Sequence, residues 1–148
     1  MKVSAEALEI METVSQAALA TRQGEQTYAS AAAVLYQKNA IEAEGPGCFH
    51  LFLSALARHT RNLLAHPQAS LLLVKPSSET SLSESPRVTV QGLILPLEPS
   101  RQPDLRARYL ARFPRASLYL DLPDFRFFEM KILEVHWIGG FGSVKTFR

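Results

Sequence analysis

The spacing of apolar residues changes period several times along the chain, and each change marks an element. Over residues 4–14, Ala7, Leu8, Met11 and Val14 form one apolar stripe with Glu6, Glu9 and Glu12 opposite. This predicts an amphipathic helix packed over one end of the domain. Residues 17–22 and 27–36 flank Gln23-Gly24-Glu25-Gln26 and read as a β-hairpin turning at Gly24. The second of these strands carries Ala29-Ser30-Ala31-Ala32-Ala33. Alanines ordinarily suggest helix, but Tyr28, Val34, Leu35 and Tyr36 around them favour a strand. Side chains this small let a flat ligand or another backbone lie close to a sheet.

A turn at Gly45-Pro46-Gly47 introduces a third strand over residues 48–53. Residues 54–67 then predict a short helix with Ser54 as N-cap and Pro67 as its stop. On its helical wheel Leu56, Thr60, Leu63 and Leu64 share a packed face, and Arg58, His59, Arg61 and Asn62 share the other. Residues 69–74 read as a compact apolar strand, and residues 76–85, rich in Ser and Glu, as a mobile loop. Residues 87–95 alternate, with Arg87, Thr89 and Gln91 on one side and Val88 and Val90 on the other. A helix over 103–113 is expected to bury Leu105, Tyr109, Leu110 and Phe113, and Pro114 restarts the chain into a helical turn through Tyr119. Strand composition returns at 124–130 and 134–138, and the last strand ends at Gly139-Gly140-Phe141-Gly142. About seven strands with short helices between them, and no regular βαβ alternation, predict a mainly β protein built as an antiparallel barrel. The reading places one domain over residues 1–148.

Composition supports that picture and narrows the chemistry. With 148 residues, 47% of them hydrophobic, the chain can bury a sizeable core. No apolar run reaches membrane-span length, and the acidic N-terminal segment lacks the apolar block of a signal peptide, so a cytoplasmic protein with no membrane partner is expected. The single Cys48 excludes an internal disulfide and reads as a small buried hydrophobe. Histidines 50, 59, 66 and 136 show no metal-ligand spacing, so no metal site is expected. Asp124 and Glu129 have no partner that the sequence assigns. Gly139-Gly140-Phe141-Gly142 lacks the following helix of a dinucleotide loop and reads as a backbone bend. Arg101, Arg106, Arg108, Arg112 and Arg115 cluster, but Asp104 and Asp121 flank them and no aromatic stacking motif accompanies them. They read as a solvated helix face, with nucleic acid the less favoured partner. Chemistry is arguable at one place: two guanidiniums and an imidazole near a helix N-terminus suit a phosphate.

Several blocks in order resemble a known family: Leu51-Phe52-Leu53-Ser54-x4-His59-Thr60-Arg61-Asn62-Leu63-x3-Pro67-Gln68-Ala69-Ser70, then Arg87-Val88-Thr89-Val90-Gln91-Gly92, then Asp124-Phe125 and Gly139-Gly140-Phe141-Gly142. They are similar to the FMN-binding split β-barrel proteins, the pyridoxamine 5'-phosphate oxidase-like family, and within it to the haem-utilisation branch. The resemblance implies a split barrel that dimerises and binds FMN at the subunit interface as a flavin-dependent oxidoreductase. It assigns the FMN phosphate to Arg58, His59, Arg61 and Asn62. It also sets Ser30 and Ala31 beside the flavin ring, Ser54 on the ribityl chain or phosphate, and Arg87 and Gln91 within reach of the flavin. Homodimerisation would also cover open strand edges.

Two departures qualify the transfer. Residues 143–148 lack the Arg-x-His pattern with which vitamin B6 oxidases hold pyridoxal phosphate. Haem-degrading members carry a C-terminal extension with an iron-ligating histidine, whereas this chain ends soon after Gly142 and leaves His136 as a substitute only if its strand faces the cavity. A haem-binding or haem-degrading protein is the first alternative, and a non-catalytic basic binding module the second.

Overall fold

A computed structural model describes residues 1–76 and 81–148. The expectation of a loop over 76–85 therefore falls partly outside the described residues; Leu82–Glu84 form a single 3₁₀ turn. The N-terminal helix α1 spans Ala5–Thr13, with the Ser4 hydroxyl accepting from the Ala7 amide. The hairpin follows as β1 (Gln16–Gln23) and β2 (Gln26–Ala33), reversing at Gly24 with φ +61°. The expected second strand breaks at Val34, whose buried side chain joins the core, and resumes as β3 (Leu35–Gln37). After β4 (Cys48–Ser54) come α2 (Arg58–Ala65), β5 (Gln68–Val74) and β6 (Arg87–Pro96). Helix α3 (Leu105–Arg112) is followed by a 3₁₀ segment, Pro114–Leu118.

Two features of the C-terminal third depart from the sequence reading. The strands expected at 124–130 and 134–138 are one continuous strand, β7 (Phe125–Gly140), and an eighth strand, β8 (Ser143–Phe147), folds back on it. The glycine-rich segment is the hairpin turn between them, with Gly140 at φ +126° and Gly142 at φ +81°.

All pairings are antiparallel, in the order β2-β1-β5-β6-β7-β4-β3, with β8 added beside β7. The two ends of this path, β2 and β3, are separated in the chain by Val34 alone, so the sheet curls back towards itself. Strand β7 divides the structure. Its first half pairs with β4 and its second half with β8, while β6 runs along its other side. A bulge at Gln91/Gly92 leaves Leu133 without a partner across the ladder. A Cβ at Gly92 would collide with the Lys131 carbonyl, which explains the glycine. Gly92→Ala should destabilise the fold by about 1–3 kcal/mol, read as a lower urea midpoint.

The interior is filled by alternate residues: Leu19 from β1, Phe49 and Leu51 from β4, Leu71 and Leu73 from β5, Val88 and Val90 from β6, and Phe128 and Met130 from β7. Ala7, Ile10 and Met11 of α1 join this core and cover its end. A smaller cluster lies on the opposite face of β4 and β7, where Tyr109 of α3, Ala116 and Leu120 pack on Leu35, Phe52 and Phe127. Among the described residues, no helix is long and apolar enough to cross a membrane.

Candidate functional site: a cationic cleft beside a flat sheet face

Helix α2 begins three residues later than the sequence suggested, with Ala57 rather than Ser54 at its N-cap. Ser54 is the last residue of β4, not an N-cap. Its hydroxyl donates to Asp124 Oδ2 at 2.8 Å and accepts from the Leu56 amide at 3.1 Å. Asp124 thus has a partner that the sequence did not assign. The helix itself is preceded by Ala57 without side-chain capping.

The wheel is also revised. Thr60, Asn62 and Leu63 are the buried positions, whereas Leu56 and Leu64 are 77% and 57% exposed. Asn62 Nδ2 donates to the Thr21 hydroxyl at 3.0 Å, and His59 Nδ1 lies 2.9 Å from the Ser30 hydroxyl. These two residues anchor α2 to the hairpin. Arg58 and Arg61 stay exposed, with the Arg58 guanidinium 5.1 Å from the centre of the Tyr28 ring. One polar face of the helix is therefore divided into two fasteners and two cations that form no ion pair among the described residues.

Those cations open onto a cleft lined by Arg22, Gln23, Gly24, Arg58, Arg61, Asn62, Ala65 and His66. Among the described residues, no carboxylate lines it. Arg22 Nη2 lies 3.2 Å from His66 Nδ1; a guanidinium only donates, so His66 accepts there and carries its proton on Nε2. Arg22, His66 and Tyr28 were missed in the sequence because β1, β2 and α2 meet only in three dimensions.

Arg22 also lines a second depression, on the outside of the sheet, together with Ser70, Gln91, Leu93, Glu134 and Arg148. The strand registers show what lies around it. One outward row runs Ala29, Ala20, Ser70, Gln91, Glu134, and the next runs Ala31, Ala18, Leu72, Thr89, His136, Thr146. The face carries small side chains on the β1–β2 side. His136 faces out on it, with Nδ1 2.8 Å from the Thr146 hydroxyl.

The expected site residues thus separate. Arg58, Arg61 and Asn62 share the cleft, and Gln91 stands in the adjoining depression. Ser30 and Ala31 are successive strand residues on opposite faces of β2, with Ser30 turned to His59 and Ala31 to the outside. Arg87 is not brought to the cleft. Strand β5 leaves α2 at Gln68, opposite Leu93, and meets Arg87 only at Val74, its far end. There the Arg87 guanidinium donates to the carbonyls of Leu82, Ser83 and Ser85. The arginine-rich stretch is largely occupied by partners near and far in the chain: Arg106 pairs with Asp121, Arg108 with Asp104, Gln37 and Gln102, and Arg112 with the Thr13 carbonyl.

Burial lowers the pKa of His59 and of His50 from the ordinary 6.5; for His50 the nearby Glu129 opposes that shift without overcoming it. Just below 6.5 the unfolded chain takes up protons that the folded chain refuses. Their stabilisation is complete above that value and is lost as pH falls through the lowered folded values. Urea midpoints of the ligand-free protein should fall between pH 7.5 and 5.5, and His59→Gln should reduce that fall.

Among the described residues, a curled antiparallel half-barrel with three helices defines the split β-barrel fold. More narrowly, the family model described as "CREG, beta-barrel" matches residues 2–147, and the chain belongs to that family. The non-canonical heme oxygenase HOZ, chloroplastic, of Arabidopsis thaliana is 35% identical to it over 91 residues, 61% of this chain and 27% of HOZ. The chain therefore spans about a quarter of that relative's length. Among solved structures, a heme binding protein from Mycobacterium smegmatis aligns with TM-score 0.81 at 28% identity, covering 99% of this chain and 59% of the other. HutZ, the heme storage protein of Vibrio cholerae, aligns with TM-score 0.69 at 25% identity, covering 90% and 92%.

Proposed function

We propose that this protein is a haem-binding split barrel of the haem-utilisation type, with the cofactor held between the outer sheet faces of two identical chains. The observation that carries the reading is the cleft of Arg22, Arg58 and Arg61, lined by no carboxylate among the described residues, which adjoins an outer sheet face with small side chains on its β1–β2 side. Three guanidiniums at the edge of such a face suit the carboxylates of a planar, apolar macrocycle. The names of the relatives at 25–35% identity point to the same ligand.

On this reading His136 is the iron ligand. The Thr146 hydroxyl, 2.8 Å from Nδ1, can accept from Nδ1–H, and in that tautomer Nε2 would carry the lone pair a metal needs. Bound haem would supply a redox-active iron. The chain's residues would neutralise its carboxylates, orient it and, with the second subunit, exclude water.

A second reading is FMN in the same place, with a flavin-dependent oxidoreductase activity. The number of cations in the cleft favours it, because three arginines match a dianionic terminal phosphate. Haemin and FMN titrations of ligand-free protein separate the two. Haem binding predicts a saturable Soret shift that changes in His136→Ala, with no quenching of flavin fluorescence. Quenching without a Soret shift selects FMN, and neither signal refutes both.

A further inference from the structure

Outside the cleft, Cys48, His50 and Glu129 meet on the other side of the barrel wall, beside α3. Cys48 and His50 are two residues apart on β4 and so share a face; the ladder sets Glu129 of β7 directly opposite His50. His50 Nε2 lies 2.9 Å from Glu129 Oε2 and 4.0 Å from Cys48 Sγ, and all three donor atoms fall within 4.8 Å of one another. The sequence reading missed this because Cys48 and His50 are ordinary strand neighbours, and the carboxylate arrives from 79 residues away.

We propose that these three side chains bind Zn²⁺, with a water in the fourth position. Sulfur, imidazole nitrogen and carboxylate oxygen are the zinc donor set, and three protein ligands leave one site open. Zinc–ligand bonds of about 2.0–2.3 Å require donor atoms roughly 3.3–3.7 Å apart. Closing the present triangle onto an ion thus shortens its longest edge by about 1 Å and lengthens its shortest by about 0.5 Å, through side-chain movements on backbones locked in one ladder. Thiolate and carboxylate together balance the ion's charge. Arg108, the nearest cation on α3, is already paired with Asp104 at 2.9 Å. His50 has no solvent-exposed side-chain surface, while the Glu129 side chain is 36% exposed and leaves a route for the water. The Glu129 carboxylate only accepts, so His50 carries its proton on Nε2 in the metal-free chain; binding through Nε2 moves that proton to Nδ1 and releases the thiol proton to solvent, so apparent affinity rises with pH.

The test uses the full chain, reduced, metal-free and without cofactor, titrated with Co²⁺ and Zn²⁺. One equivalent of Co²⁺ should produce a thiolate-to-cobalt charge-transfer band and the intense visible bands of a tetrahedral ion. Cys48→Ala should abolish the charge-transfer band and weaken Zn²⁺ binding on the order of 100-fold, and Glu129→Gln should weaken it on the order of 10-fold. Because Cys48 is the single cysteine, Zn²⁺ should also protect the wild-type chain from alkylation. The combined Arg58→Ala/Arg61→Ala chain should bind Zn²⁺ as tightly as wild type, which keeps this site independent of the cofactor reading. A wild-type chain without the charge-transfer band, or Zn²⁺ affinity unchanged in Cys48→Ala, overturns the proposal.

Discussion

A chain carrying Arg58→Ala and Arg61→Ala together should fold normally and retain almost no cofactor. Both side chains are exposed and neither forms an ion pair among the described residues, so stability depends little on them. Each would contribute a charge-assisted hydrogen bond of about 1.5–3 kcal/mol to an anionic group, so losing both weakens binding by about two to four orders of magnitude. Arg22→Ala should act in the same direction, with the added loss of its contact to His66. Arg101→Ala, on a 3₁₀ turn outside the cleft, serves as the charge control. The measurement is equilibrium titration with haemin and with FMN, and equal affinity in the double variant and wild type would remove the cleft from the argument.

The second large effect concerns assembly. The outward row of Ala31, Ala18, Leu72 and Thr89 has no covering element among the described residues, and Leu72 is 38% exposed there. If two chains close over this face, Ala18→Glu or Leu72→Glu forces an unpaired carboxylate into the seam, at a cost of several kcal/mol. Analytical ultracentrifugation should then show a dimer for wild type and a monomer for either variant, with circular dichroism unchanged because both side chains point away from the core. Cofactor retention should fall with the dimer. A wild-type monomer, or a dimer indifferent to either carboxylate, would refute the arrangement.

Much of the fold was legible because its signals are local. The α1 stripe, the Gly24 turn and the alternation of β6 each report burial or backbone geometry within a few residues. The reading failed where distant segments decided. Ser54 has the chemistry of an N-cap, yet Asp124 from across the β4–β7 ladder engages its hydroxyl. Leu56 and Leu64 fit an apolar helix face, but α2 packs through Thr60, Asn62 and Leu63. Strand β7 looked like two strands because its pattern shifts phase at Leu133, where the bulge against Gly92 inserts an extra residue.

By itself the sequence determined the class of architecture, the order of its elements and the presence of a cationic helix beyond the third strand, because hydrophobic period and turn chemistry act over a few neighbouring residues. Only the tertiary structure decided which polar residues serve as anchors and which remain available. His59 and Asn62 are engaged by the hairpin, Arg87 by the turn that immediately precedes it, and Arg22 and His66 join Arg58 and Arg61 in the cleft. Cys48, His50 and Glu129 came together in the same way. Side chains brought together by strand register are separated by tens of residues in the chain, and no local pattern encodes their distance.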